Sequence, residues 1–187
     1  RFTNLDDSPV TDIGIGYQNG SVAASPDAQG FVRNWLLIGS FDNTADSKFN
    51  VDYVGEQNAS QLSGLNASGR TWFQHADPDN FIDLAAAMPV DNNVIAYGFA
   101  YIYSNSTRLL KLKVGSDDGV KLFLNSENVL ANHVHRGAAQ DQDSASSLVL
   151  LAVTNLTSVS INTISIPDDR YQTVIDVTDG IDTTRAT

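Results

Sequence analysis

In RLLKLKV (residues 108–114) apolar and polar positions alternate, with Leu110, Leu112 and Val114 on one side and Lys111 and Lys113 on the other. A period of two marks a strand with one buried and one solvated face. VKLFLN (residues 120–125) repeats the pattern through Val120, Leu122 and Leu124. Phe123 falls out of phase there, so it is either exposed or covered by a neighbouring strand or loop. The five residues 115–119 between the two runs are expected to form a hairpin loop. FVRNWLLIGSF (residues 31–41) is rich in β-branched and aromatic residues and reads as another strand. NVIAYGFAYIYS (residues 93–104) is apolar on both faces, which predicts a central strand covered from both sides. Further strands are expected at 148–154, 159–166 and 171–177, and a single helical turn at 81–88, ended by Pro89. The pattern predicts an all-β chain, a β-sandwich of jelly-roll type with few or no helices. Residues 1–30 are polar and turn-rich and read as an N-terminal arm or edge strand. Residues 31–166 then form the sandwich core, and 167–187 a C-terminal strand or arm.

At 187 residues, 42% of them hydrophobic, the chain has material for one domain with a real core. Its 22 acidic and 11 basic residues leave a net charge of -11. That balance excludes a nucleic-acid binder, which needs clustered Lys and Arg, and a reader of anionic membrane surfaces. It suits solubility, cation binding, or neutral partners such as sugars. Cysteine is absent, which excludes disulfides, zinc–thiolate sites and thiol catalysis. No apolar run approaches the roughly 20 residues that span a bilayer, so membrane insertion by a helix is not expected. A start at Arg1 rather than Met fits a mature, trimmed or excised chain, from which any signal peptide would already be gone. Four N-x-S/T sequons, at Asn58, Asn66, Asn105 and Asn155, point with the low lysine content towards a secreted or cell-surface setting.

The sharpest local feature is VGSDDGVKLFLN, which sets Asp117 beside Asp118 between Gly115 and Gly119. Adjacent carboxylates repel, so water solvates both or a cation holds them. Calcium takes six to eight oxygens and suits clustered carboxylates on a rigid turn, whereas Asp and Gly also favour tight turns for conformational reasons alone. RGAAQDQD (residues 136–143) could add Asp141 and Asp143 as ligands, or supply Arg136 as a plain ion-pair partner for a carboxylate of the Asp117–Asp118 turn. His133 and His135 sit at i and i+2, a spacing that places two possible metal ligands on one strand face, but a closed zinc site needs about four. Among the aromatics, Trp72 in the loop-like SGRTWFQH is the leading candidate to stack on a sugar ring, with Phe123 and Arg136 as further ligand contacts. No nucleophile elbow, zinc-hydrolase helix, P-loop or dinucleotide glycine pattern occurs, and an enzyme is not expected.

The order of these pieces resembles an accessory β-sandwich found in exported microbial carbohydrate-active and surface proteins. The matching elements are W-L-L-I-G-S-F (35–41), Gly55-Glu56, G-R-T-W (69–72), A-Y-G-F-A-Y-I (96–102), the G-S-D-D-G turn with its following strand (115–125), Arg136, and D-Q-D (141–143). Ser40 stands where that layout has proline, and the run from Ser147 lacks its Gly-x-Asn turn and lysine. The layout is also similar to PA14-like and carbohydrate-binding sandwiches. In PA14 domains an adjacent Asp pair binds calcium beside the sugar site, a role the resemblance carries onto Asp117 and Asp118. It implies a non-catalytic extracellular module that binds glycan or polysaccharide, with calcium as its cofactor. The alternative is a structural subunit of a filament, surface layer or adhesin, joined to copies of itself by strand addition from the terminal arms.

Overall fold

The structure, a computed structural model, describes residues 1–17, 22–56, 63–89, 93–150, 157–164 and 175–177. Its strands are β1 (Phe2–Thr3), β2 (Gly14–Gly16), β3 (Asn34–Asp42), β4 (Asn66–Ala67), β5 (Arg70–Thr71), β6 (Phe73–Ala76), β7 (Val94–Tyr103), β8 (Arg108–Val114), β9 (Val120–Leu124), β10 (Glu127–Asn132), β11 (Asp143–Leu150), β12 (Thr157–Ile164) and β13 (Ile175–Val177). Among the described residues one short α-helix, α1 (Leu84–Ala87), begins at Asp83, whose side chain accepts from the Ala86 amide at 3.0 Å. It ends at Met88, just before the proline that stops it, and both Leu84 and Met88 enter the core.

Two sheets face each other, antiparallel except where β13 runs parallel to β7 and β9. The smaller has the order β1-β8-β11, and the larger runs β10-β9-β12-β13-β7-β3-β6 with β2 also on β7. Strand β12 registers directly with β9 on one side and β7 on the other. Between the sheets lies an inner core in which Leu110, Leu112 and Val114 of β8 meet Val120, Leu122 and Leu124 of β9 and Ala96, Ala100 and Ile102 of β7. Each such side chain removed from water contributes about 1.5–3 kcal/mol, so the alternation read from the sequence is also the main stabilising pattern. Eight consecutive residues of β7 are buried, as expected of a strand covered on both faces.

The second cover of β7 is a long, mostly irregular excursion between β3 and β7. It lays Phe49, Tyr53, Val54 and Trp72 over the outer face of the larger sheet, against Leu36, Ile38, Phe41, Ile95, Tyr97, Phe99 and Tyr101. Phe41 stacks on Tyr53 with ring centres 4.8 Å apart, and Trp72 meets Phe99 edge-on at 6.2 Å.

Residues 1–16 are built into the sandwich. Phe2, Val10, Ile13 and Ile15 are all in the inner core. Strand β1 is an edge strand of the smaller sheet, pairing Phe2 with Leu112 and Thr3 with Lys111. The Phe2 amide donates to the Gly30 carbonyl at 2.9 Å, and Gly30 adopts φ +82°, with the Phe2 carbonyl oxygen occupying the space a β-carbon would need. Ion pairs from Asp7 to Lys113 (2.7 Å) and Lys111 (3.2 Å), and from Asp12 to Arg108 (2.8 Å), tie the same segment to β8.

The structure corrects the expected hairpin. Strand β8 pairs with β1 and β11, whereas β9 pairs with β10 and β12. Residues 115–119 therefore cross from one sheet to the other instead of reversing within one.

Candidate functional site

The crossing loop is buried. Ser116, Asp117 and Asp118 are all inaccessible, and Asp118 takes a left-handed φ of 60°, which Asp tolerates better than most residues. Its surroundings come from the segment between β10 and β11. The Ser116 amide donates to the Gln142 side chain at 2.8 Å, and the Ser116 hydroxyl donates to the Asp118 carbonyl at 3.0 Å. Asp118 and Arg136 are joined by two hydrogen bonds: the Asp118 amide donates to the Arg136 carbonyl at 2.9 Å, and the Arg136 amide donates to the Asp118 side chain, at Oδ1, at 2.8 Å. Gly115 permits the closest approach, because a β-carbon there would lie 1.7 Å from the Ala139 carbonyl oxygen.

The four acidic residues proposed from the sequence divide into two pairs with different surroundings. Asp141 forms an ion pair with the Arg1 guanidinium, whose Nε donates to Oδ1 at 3.0 Å. Asp143 pairs with the Arg136 guanidinium and also accepts from Asn132 at 2.9 Å. Arg136 reaches the crossing loop as well, its Nε donating to the Ser116 carbonyl at 3.3 Å. Its guanidinium thus bridges the loop to Asp143. Asp117 and Asp118 remain together inside the loop itself. No group of three or more His, Cys, Asp or Glu side chains arranged to hold a metal occurs among the described residues.

A cavity of about 320 Å³ opens beside the loop. Phe31, Trp35, Phe81 and Ile82 supply apolar wall, and Asp79, Asn80, Asp117 and Gln140 supply polar groups. Trp35 is fixed by its indole N–H, which donates to the Val32 carbonyl at 3.0 Å. Phe81 is 57% exposed and stands free at the mouth. This residue was not among the aromatics singled out from the sequence. The available signal was its position, directly after the turn-forming run DPDN, which forces a side chain outward where an amphipathic helix would draw it in.

Two expected ligand contacts belong elsewhere. Trp72 is 1% exposed and is a member of the outer core, so its ring has no face to offer a sugar. Its loop-like sequence context is real, but the loop lies flat on the sheet and buries it. Phe123 is also buried, covered on the outer face of β9 as the second of its two expected settings. His133 and His135 both approach Asp46, with Nε2 to Oδ2 separations of 2.6 and 3.7 Å, and His133 stacks on Phe49. His75 lies apart, 3.2 Å from Asp77. Asn66 and Asn105 are exposed, as a glycan acceptor must be, while Asn58 and Asn155 lie outside the described residues. No family model matches the chain, and neither a curated protein nor a solved structure matches it.

Proposed function

We propose that the chain is a non-catalytic extracellular module that recognises glycan in the cavity beside the crossing loop. The observation that carries this reading is the convergence, in one cavity, of aromatic wall and short polar side chains, with exposed Phe81 at its mouth. Ligand sites of this kind typically measure about 300–1,000 Å³ and combine apolar walls with a few placed polar groups. A pyranose ring offers an apolar C–H face to an aromatic ring and hydroxyls to carboxylates and amides, which matches Phe81 together with Asn80, Asp117 and Gln140. The exposed sequons at Asn66 and Asn105 support the extracellular part of the reading.

Calcium enters this reading in narrowed form. Arg1 and Arg136 hold Asp141 and Asp143, so the ion would draw on Asp117, Asp118 and nearby carbonyls. The filament alternative is served less well, because Phe2, Val10, Ile13 and Ile15 are already spent in the chain's own core.

The test is a polysaccharide pull-down or glycan array with the wild type and Phe81→Ala. Loss of the stacking ring is expected to weaken binding about tenfold, equivalent to roughly 1.4 kcal/mol. Retention unaffected by Phe81→Ala would remove this cavity as the site. Failure to bind any glycan, with polymers visible by electron microscopy, would favour the structural subunit instead. A calcium titration that raises the melting midpoint supports the ion at Asp117 and Asp118, and a flat titration removes it while leaving the cavity in place.

A further inference from the structure

The outer core holds an amine against a carboxylate. Lys121 is 6% exposed, with Val120 and Leu122 on either side of it turned into the inner core. The lysine therefore lies on the outer face of β9, where its Nζ sits 4.9 Å from the centre of the Phe49 ring. Its one ion-pair partner among the described residues is Glu56, a side chain only 11% exposed. Glu56 Oε2 stands 3.9 Å from Nζ, beyond hydrogen-bond reach. The carboxylate is fixed from two directions. Asp52 accepts from the amides of Val54, Gly55 and Glu56 at 3.0, 2.6 and 2.9 Å, which pins the backbone of this turn. The Tyr97 hydroxyl lies 3.4 Å from Glu56 Oε1 and 3.3 Å from the Val51 carbonyl, and it accepts from the Tyr53 amide at 3.2 Å. Burial and the Glu56 charge push this hydroxyl well above the ordinary phenol range, so it stays protonated. Glu56 thus turns one oxygen to a hydroxyl donor and the other to an amine.

We propose that Lys121 and Glu56 condense to an intramolecular amide, joining Nζ to Cδ with loss of water. A buried ion pair without a direct hydrogen bond is a poor stabiliser, because neither charge recovers what it lost on leaving water. An amide carries no charge, so condensation removes that cost. Nζ first passes a proton to Oε2, leaving a neutral amine and a carboxylic acid. The Nζ lone pair attacks Cδ and forms the new C–N bond, while Tyr97 steadies the negative charge that builds on Oε1. A second proton moves from Nζ to Oε2, the Cδ–Oε2 bond breaks, and water leaves with both protons. One hydrogen remains on the amide nitrogen, and Oε1 becomes the carbonyl oxygen. Nothing is oxidised or reduced, and no further reactant is needed. The bond would fasten the covering excursion to β9. Neither residue lines the cavity, so the bond is independent of glycan recognition.

Intact-mass spectrometry of the chain, made in a host that does not glycosylate it and shown to be folded by far-ultraviolet circular dichroism, tests the proposal. The expected mass is that of the sequence less one water. Trypsin should leave Lys121 uncut and yield residues 49–70 joined to residues 114–136. Lys121→Arg and Glu56→Ala should each show the full, unlinked mass. A folded wild type at full mass overturns the proposal. So does a water loss that persists in Lys121→Arg, or one that maps to Asp118-Gly119 as a cyclic imide with Lys121 cut as usual.

Discussion

The two apolar layers on either side of β7 are built from different residues. Among the buried members of the inner layer only Phe2 and Trp35 are aromatic, and the rest are aliphatic apart from Met88. In the outer layer six of nine buried members are aromatic: Phe41, Phe49, Trp72, Tyr97, Phe99 and Tyr101. The inner layer forms between two pleated surfaces, whose regular spacing suits branched side chains that alternate along each strand. The outer layer forms between a sheet and an irregular segment, and an irregular segment touches the sheet at few points. Large flat rings cover more area per contact, which is the economical way to seal such a surface. The difference also explains where polar chemistry is tolerated. Lys121, Glu56 and the Tyr97 hydroxyl all lie on the aromatic side, and burial with a carboxylate neighbour pushes the Tyr97 hydroxyl well above the ordinary phenol range.

The comparison can be broken by mutation. Trp72→Ala removes the largest piece of the outer cover and is expected to cost about 3–5 kcal/mol, as much as a core truncation in the inner layer such as Leu112→Ala. Trp72→Phe should recover most of that loss, since the buried indole N–H has no hydrogen-bond partner among the described residues. Chemical denaturation of the three variants decides whether the irregular cover is worth a sheet. If Trp72→Ala costs under about 1 kcal/mol, the outer layer is a lid and not a core.

The inner layer is sealed at one end by the crossing loop. Gly115→Ala would drive a methyl group into the Ala139 carbonyl, and because backbone must move, the expected loss is about 2–3 kcal/mol. Its midpoint in urea, set beside that of Trp72→Ala, ranks the two closures.

Acid provides the gentlest perturbation. Hydrogen bonds from Lys113 and Lys111 hold the Asp7 carboxyl below its ordinary value of 3.8, and a hydrogen bond from Arg108 does the same for Asp12. For a carboxyl depressed in the folded state, the stabilisation is complete above the unfolded value and is lost as pH falls through the lower folded one. Amides of residues 2–16 are therefore expected to exchange faster relative to those of β7 once the pH drops below about 4. Uniform protection across both segments at low pH would show that apolar contacts alone hold the N-terminal segment.

Legibility in the sequence follows the same division. Strands β8 and β9 announce themselves because their side chains alternate against a regular partner, and β7 because its unbroken apolar run is covered on both faces; β8 and β9 begin where their patterns do. Strands β6 and β10 are half-exposed and carry no apolar alternation, so Phe73–Ala76 and Glu127–Asn132 read as loop. The crossing loop was misread for a different reason. Alternation states which face of a strand is buried but not which strand it pairs with, so two consecutive strands in opposite sheets look like a hairpin. For the site, the sequence singles out the Asp117–Asp118 pair and Arg136 but assigns the guanidinium to the turn's carboxylates, whereas it pairs with Asp143 and only its backbone amide reaches Asp118. Trp72 and Phe81 were beyond its reach. One looks exposed and is buried, the other was passed over as part of a helical turn, and only the path of the irregular excursion decides between them.

Strand β1 carries a consequence for the order of events during synthesis. Phe2 pairs with Leu112, and the Arg1 nitrogen donates to the Lys113 carbonyl. Phe2 and Thr3 must wait for β8, more than a hundred positions later, before they find their partners. Contacts so distant in sequence form late in folding, after loop closure has been achieved by shorter-range pairs. Strand β1 thus docks after the shorter-range pairs of the sheets. Until then it stays extended, and the inner core stands open along one edge.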